Sequence, residues 1–112
     1  MTRPLSTREL AIVVAVHKLH GQGYGVTLRD FIEEHTGDRL GVATIYGTLE
    51  RLEAQGLVKS RMGEKTAERG GRRKKYFELT GSGVQDMSAT FAAMEKLRSM
   101  SGPVDGLTGS TV

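Results

Sequence analysis

Three short helical runs, each closed by a glycine, lead directly into a hairpin-like segment that carries half of the chain's cations. This order constrains the fold more than any other feature of the 112 residues. The first run opens with a capping box, S-T-R-E, in which Glu9 can reach back to the Ser6 backbone. Leu10, Val13, Val14, Val16 and Leu19 then give a broad apolar face, widened by Ile12 and Ala15, which marks a central helix stopping at Gly21. Gly21, Gly23 and Gly25 mark its exit. Thr27 is the expected N-cap of the second run, with Leu28, Phe31 and Ile32 on its buried side and an end near Gly37. After a loop at residues 38–41, the third run spans Ala43 to Gln55, with Ile45, Leu49 and Leu52 inward and Gly56 as its stop. Three helices with a short second member and a tight connection suggest a helix-turn-helix.

The segment from Lys59 to Tyr76 holds eight of the sixteen Lys and Arg residues: Lys59, Arg61, Lys65, Arg69, Arg72, Arg73, Lys74 and Lys75. Only Glu64 and Glu68 oppose them, so the segment carries +6 and leaves −3 to the rest of a chain whose total is +3. Leu57, Val58 and Lys59 start one strand, residues 63–71 form a polar tip, and Lys75 to Leu79 return as the second strand. A basic hairpin beside a helix can grip a nucleic-acid backbone while the helix enters a groove.

Thr80 can cap a last helix that reaches about Met100, with Gly81 and Gly83 weakening its first turn. Val84, Met87, Phe91 and Met94, with Leu97 beside them, make a narrow seam of the coiled-coil kind and form the expected dimer interface. The Gly-, Ser- and Thr-rich tail at 101–112 reads as disordered. The predicted fold is therefore mainly α with a small β-hairpin: a winged helix-turn-helix at 1–79, then a dimerisation helix at 80–100. With 38% apolar residues, 5% aromatic residues and no Trp, the core is lean, and lean cores often gain stability from a partner subunit.

Several function classes drop out. The chain has no Cys, which removes disulfides, thiol catalysis and Cys-based metal sites. The longest apolar stretch, Leu10 to Val16, is far below the roughly 20 residues needed to span a bilayer, and the N-terminus lacks the apolar centre of a signal peptide. A cytoplasmic protein with no membrane partner is expected. No nucleophile with a base, no paired carboxylates and no metal set can be assembled, so neither enzyme activity nor a cofactor is expected. His17 and His20 stand one turn apart and His35 is remote, without a carboxylate to complete a metal site. The closely spaced glycines at 21, 23 and 25 follow no strand and precede no Lys-Ser or Lys-Thr, so they are not a phosphate loop.

The run G-V-A-T-I-Y-G-T-L-E-R-L-E-A-Q-G-L, from Gly41 to Leu57, resembles the recognition helix of PadR-type transcriptional regulators, with Thr44, Ile45, Tyr46, Leu49, Leu52, Glu53, Gly56 and Leu57 matching. Downstream, G-R-R-K-K-Y-F-E-L-T-G-S-G resembles that family's wing and the start of its C-terminal helix through Gly71, Arg72, Lys75, Tyr76, Leu79, Thr80 and Gly83. Upstream, G-Y-G-V at Gly23 to Val26 resembles its Gly-Tyr junction. The resemblance implies a winged helix-turn-helix that dimerises through its last helix and represses transcription, in the small branch with a single C-terminal helix. Some small members bind flat aromatic drugs between paired Trp side chains; this chain has no Trp.

If the third helix enters a major groove, its outward side carries the contacts. Thr44, Tyr46 and Thr48 are hydroxyl donors suited to phosphates, and the helix N-terminus adds N–H groups. Val42 or Ala43 would touch thymine methyls, Arg51 would meet a phosphate, and Arg72, Arg73, Lys74 and Lys75 of the wing would take the backbone or minor groove. Gly47, in mid-helix, either weakens the helix by about 1 kcal/mol relative to Ala or lets backbone approach a phosphate. The partners expected are a pseudo-palindromic double-stranded DNA operator, a second copy of the chain and a possible small-molecule effector at the Met-rich stripe. The alternative is a winged-helix interaction module docking its basic hairpin on an acidic protein. Blander readings leave the hairpin as a solvated edge and Tyr46 as a packing residue.

Overall fold

A computed structural model describes residues 4–64 and 73–102 as α1 (Thr7–Lys18), α2 (Gly25–Thr36), α3 (Val42–Ala54), β1 (Val58–Met62), β2 (Lys75–Leu79) and α4 (Gly81–Ser101). The capping box of α1 forms as expected: the Glu9 N–H donates to the Ser6 hydroxyl, and the Glu9 carboxylate accepts the Ser6 N–H. Ile12, Ala15 and Val16 are wholly buried and Leu10 and Val13 nearly so, which makes α1 the hub of the core. Each buried Val, Leu or Ile contributes about 1.5–3 kcal/mol relative to exposure. The helix ends before Gly21, with Leu19 as its C-cap, and the turn then passes through His20 and Gly21, both at positive φ.

Helix α2 begins earlier than the sequence suggests. Tyr24, not Thr27, is the N-cap. The Thr27 hydroxyl sits inside the first turn, where it accepts the Tyr24 N–H and donates to the Tyr24 carbonyl, each at 3.0 Å. A short hydroxyl can satisfy backbone from the third helical position as well as from the cap, so Thr27 marks the start without being it. Gly37, at φ 78, closes the helix.

The strands β1 and β2 pair antiparallel, with Val58 opposite Leu79, Ser60 opposite Phe77 and Arg61 opposite Tyr76. A third piece joins them that the sequence did not announce. Gly23 forms an isolated bridge to Phe77, whose N–H donates to the Gly23 carbonyl at 3.1 Å. The hairpin is thereby stitched to the α1–α2 junction, and Phe77 is buried against the helices.

Thr80 caps α4, accepting the Gly83 N–H while donating to the Gly56 carbonyl. Gly83 is not the weakness it looks like in the sequence. A Cβ there would lie 2.0 Å from the Leu57 carbonyl oxygen, so only glycine lets the helix start this close to the chain entering β1. The first turns of α4 pack on the core through Met87, and the Thr90 hydroxyl accepts the Leu5 N–H at 3.1 Å. From Phe91 to Ser101 every residue is exposed. Ser101 is still helical, and the expected tail from 103 onward lies outside the described residues. No helix among the described residues is long and apolar enough to cross a membrane.

Candidate nucleic-acid interface

Helix α3 shows its two sides clearly. Ile45, Leu49 and Leu52 are wholly buried, as their spacing predicts. Ala43, Thr44, Glu50 and Arg51 are exposed, and Val42 is half-buried. The N-cap is Gly41, which offers no side-chain cap, so the first N–H groups of α3 keep their donor capacity for an incoming acceptor. A Cβ on Gly47 would meet nothing within 4 Å.

Two residues assigned to the outward face belong elsewhere. Thr48 is 2% exposed, and its hydroxyl accepts from the Arg51 guanidinium at 3.3 Å. It lies three residues after Ile45, and on a helix of 3.6 residues per turn that places it on the buried stripe. Tyr46 is half-buried and turned inward. Its ring lies 5.9 Å from that of Phe77, and its hydroxyl accepts the Gly25 N–H at 3.2 Å. That bond satisfies one of the free donors at the start of α2, so Tyr46 fastens α2 to α3 with its hydroxyl oxygen as acceptor.

The described cations of the hairpin are exposed or half-exposed: Lys59, which pairs with Glu78 at 3.9 Å, and Arg61, Arg73, Lys74 and Lys75. Arg72, with Lys65 and Arg69, lies outside the described residues. The Arg73 Nε–H donates to the Gly63 carbonyl at 2.7 Å, which leaves the rest of its guanidinium fork available. The Lys75 ammonium is 5.7 Å from the Phe77 ring centroid, and that of Lys74 is 4.7 Å from the Tyr24 ring centroid. Tyr24 precedes Gly25, the residue bonded to Tyr46. The wing cations are thus joined to the Tyr46 side of α3 by a short chain of direct contacts.

Beside the turn between α2 and α3, Arg39 donates to Glu33 at 2.8 Å. That hydrogen bond, with the carboxylate's charge, raises the Arg39 pKa above its ordinary value. On α4, the hydrogen bond from Arg98 holds the Glu95 carboxyl below its ordinary value and raises Arg98 in turn. Among the described residues no three His, Cys, Asp or Glu side chains gather as a metal site would require.

A family model for transcriptional regulators, described as "Transcriptional regulator PadR-like family", matches residues 13–89. The chain belongs to the PadR-like family. The matched span runs from the buried face of α1 through the hairpin to the packed part of α4, and the family is one of transcriptional regulators, not enzymes. Solved structures agree on the fold. A PadR family transcription regulator from hypervirulent Clostridium difficile R20291 aligns with a TM-score of 0.72 at 24% identity, over 85% of this chain and 94% of that one. A Streptococcus transcriptional regulator aligns with a TM-score of 0.68 at 24% identity, over 90% and 91%. Bacillus subtilis PadR, solved in complex with operator DNA, aligns with a TM-score of 0.63 at 23% identity, over 75% of this chain and 46% of that longer one. No curated protein matches the chain.

Within this PadR-like chain, the proposed dimer residues divide. Phe91, Met94 and Leu97 are exposed at 46%, 48% and 65%, and Val84 at 40%. Met87 is only 8% exposed and is part of the chain's own core. It falls on the side of α4 that meets the body of the fold, so it cannot belong to an exposed seam. Phe91 also lines an apolar cleft of about 250 Å³ between α1 and α2, with Leu10, Val14 and Phe31.

The sequence reading missed Gly23, Tyr24 and Gly25 as the joint of the site. In the sequence the Gly-Tyr-Gly run marks a helix exit and the family's Gly-Tyr junction; that it ties the hairpin to α3 is visible only in its tertiary contacts.

Proposed function

We propose that this PadR-like protein is a homodimeric, sequence-specific DNA-binding repressor. The N-terminal end of α3 enters a major groove with Val42, Ala43 and Thr44 foremost and Arg51 on a phosphate. Arg72, Arg73, Lys74 and Lys75 hold the backbone or the neighbouring minor groove. The observation that carries this reading is the contact chain from Lys74 through Tyr24 and Gly25 to Tyr46, which ties the basic hairpin to the third helix. Cations fixed beside a helix whose leading N–H groups are free can neutralise phosphates while side chains meet base edges. Support also comes from the fold shared with Bacillus subtilis PadR, which was solved with operator DNA.

The dimer would form through the exposed apolar stripe of α4, Phe91, Met94 and Leu97, continued by Met100 at 73% exposure. Apolar side chains at this spacing on an overhanging helix lose their contact with water by pairing with a second copy about a two-fold axis. Two recognition helices would then read half-sites roughly 34–36 Å apart.

The test is the salt dependence of binding to a DNA selected from a random pool. Replacing Arg73 and Lys74 by Ala should flatten the slope of log K against log salt by about one unit for each charge removed. An unchanged slope would remove the wing from the interface, and binding indifferent to DNA sequence would remove α3.

A further inference from the structure

We infer that Tyr24 is a positioning residue for DNA binding: its ring holds the Lys74 ammonium and braces Tyr76, so that the wing cations keep one fixed angle to α3. The inference rests on the DNA-binding reading above and names a residue that touches no DNA in it.

A two-stranded hairpin is marginally stable on its own, and among the described residues only the Gly23–Phe77 bridge extends the pairing. Its outer face is held by side chains instead. Arg61 stands directly opposite Tyr76, with its guanidinium 4.6 Å from the Tyr76 ring centroid, and it donates to the Gly21 carbonyl at 3.1 Å. Tyr76 meets Tyr24 edge to face, with centroids 5.7 Å apart and planes at 85°. Lys74 sits 4.7 Å from the Tyr24 ring centroid. Gly63 makes room for this stack, because a Cβ there would come 2.5 Å from the Tyr76 ring.

The base of the stack is rigid. The Thr27 hydroxyl holds both the N–H and the carbonyl of Tyr24. The next N–H, that of Gly25, is bonded to the Tyr46 hydroxyl. One dipeptide therefore touches the wing with its aromatic ring and α3 with its backbone. Tyr24 and Tyr76 are only half-buried, so the rings do little for the core; their geometry suits cation–π contact and edge-to-face stacking.

The experiment is a double-mutant cycle on the selected DNA with Tyr24→Leu, Lys74→Gln and the pair, with Tyr24→Phe alongside. Tyr24→Leu should weaken binding about fivefold, the size of one cation–π contact, and should flatten the salt slope by about one unit, as Lys74→Gln does. Tyr24→Phe should restore both, since the π-face is kept. The double variant should lose clearly less than the sum of the two single losses, since the Lys74 part of Tyr24's effect is already gone. Additive losses, an unchanged slope in Tyr24→Leu, or a Phe variant as weak as Leu would overturn the inference. Tyr76→Leu should weaken binding in the same direction and serves if Tyr24→Leu does not fold. A readout without DNA separates this inference from the function it rests on: the Lys74 side-chain protons should be shifted upfield by the Tyr24 ring in wild type and return in Tyr24→Leu. Absence of that shift sinks the clasp even if DNA binds. Its presence in a protein that binds no DNA sinks the DNA-binding reading, and the role assigned to Tyr24 falls with it.

Discussion

The hydroxyl of Tyr46 accepts the N–H of Gly25, and the Tyr46 ring fills the space that a side chain at Gly25 would need. A Cβ on Gly25 would come 2.8 Å from that hydroxyl. The two residues are 21 apart in sequence and fit as socket and plug. A tyrosine that reads as a surface phosphate donor in the sequence is half-buried and joins α2 to α3 through its ring and its hydroxyl oxygen.

Tyr46→Phe should therefore lower stability by about 1 kcal/mol, the net value of one hydrogen bond. It should leave the salt slope of DNA binding unchanged. Gly25→Ala should cost about 1–3 kcal/mol by forcing the ring aside. Urea unfolding of both variants, with a salt titration of the first, checks this.

Glycines at 83 and 47 should respond in opposite ways. At Gly83 a methyl meets the Leu57 carbonyl oxygen, which is backbone and cannot swing away, so Gly83→Ala should destabilise by about 3 kcal/mol. At Gly47 nothing lies within 4 Å, so Gly47→Ala should stabilise the free protein by about 1 kcal/mol through helix propensity. It should also weaken DNA binding if the α3 backbone approaches a phosphate there. Thermal melts and anisotropy titrations read both effects.

On α4, replacing Phe91 or Leu97 with Glu should give folded monomers in sedimentation and weak binding to a palindrome. Met87→Ala should act differently. It opens the chain's own core and should cost about 2–5 kcal/mol of stability. Monomers of Phe91→Glu that hold a palindrome as tightly as wild type would remove the dimer from the proposal.

His20 is the one non-glycine at positive φ among the described residues, at φ 51. A side chain in that region is strained by roughly 1–2 kcal/mol. His20→Gly should relieve about 1 kcal/mol of it, measurable as a raised midpoint in denaturant.

The helices were legible in the sequence because their signals are local. The Ser6 box, the Ile45, Leu49 and Leu52 stripe, and the glycines at 37 and 56 all act within one or two turns, and each lies where its spacing implies. The strands were legible for the same reason: β2 spans Lys75–Leu79, as expected, and β1 starts at Val58, one residue after the expected Leu57. The start of α2 at Gly25 is not legible from Thr27, because a Thr hydroxyl can serve the backbone from two positions. Thr48 and Met87 are buried where an outward place was expected, because periodicity gives a stripe without its width. How far burial spreads around a helix depends on what packs against it.

What the chain alone determined was the order of its elements, the concentration of positive charge on the hairpin and the kinship carried by its motifs. Each of these is a property of neighbours in sequence. Which hydroxyls face outward, why Gly83 must be glycine, and how Tyr24 joins Lys74 to Tyr46 were decided only by the tertiary structure. Those facts depend on atoms brought within a few ångströms of one another from separate elements, and no local pattern encodes that distance.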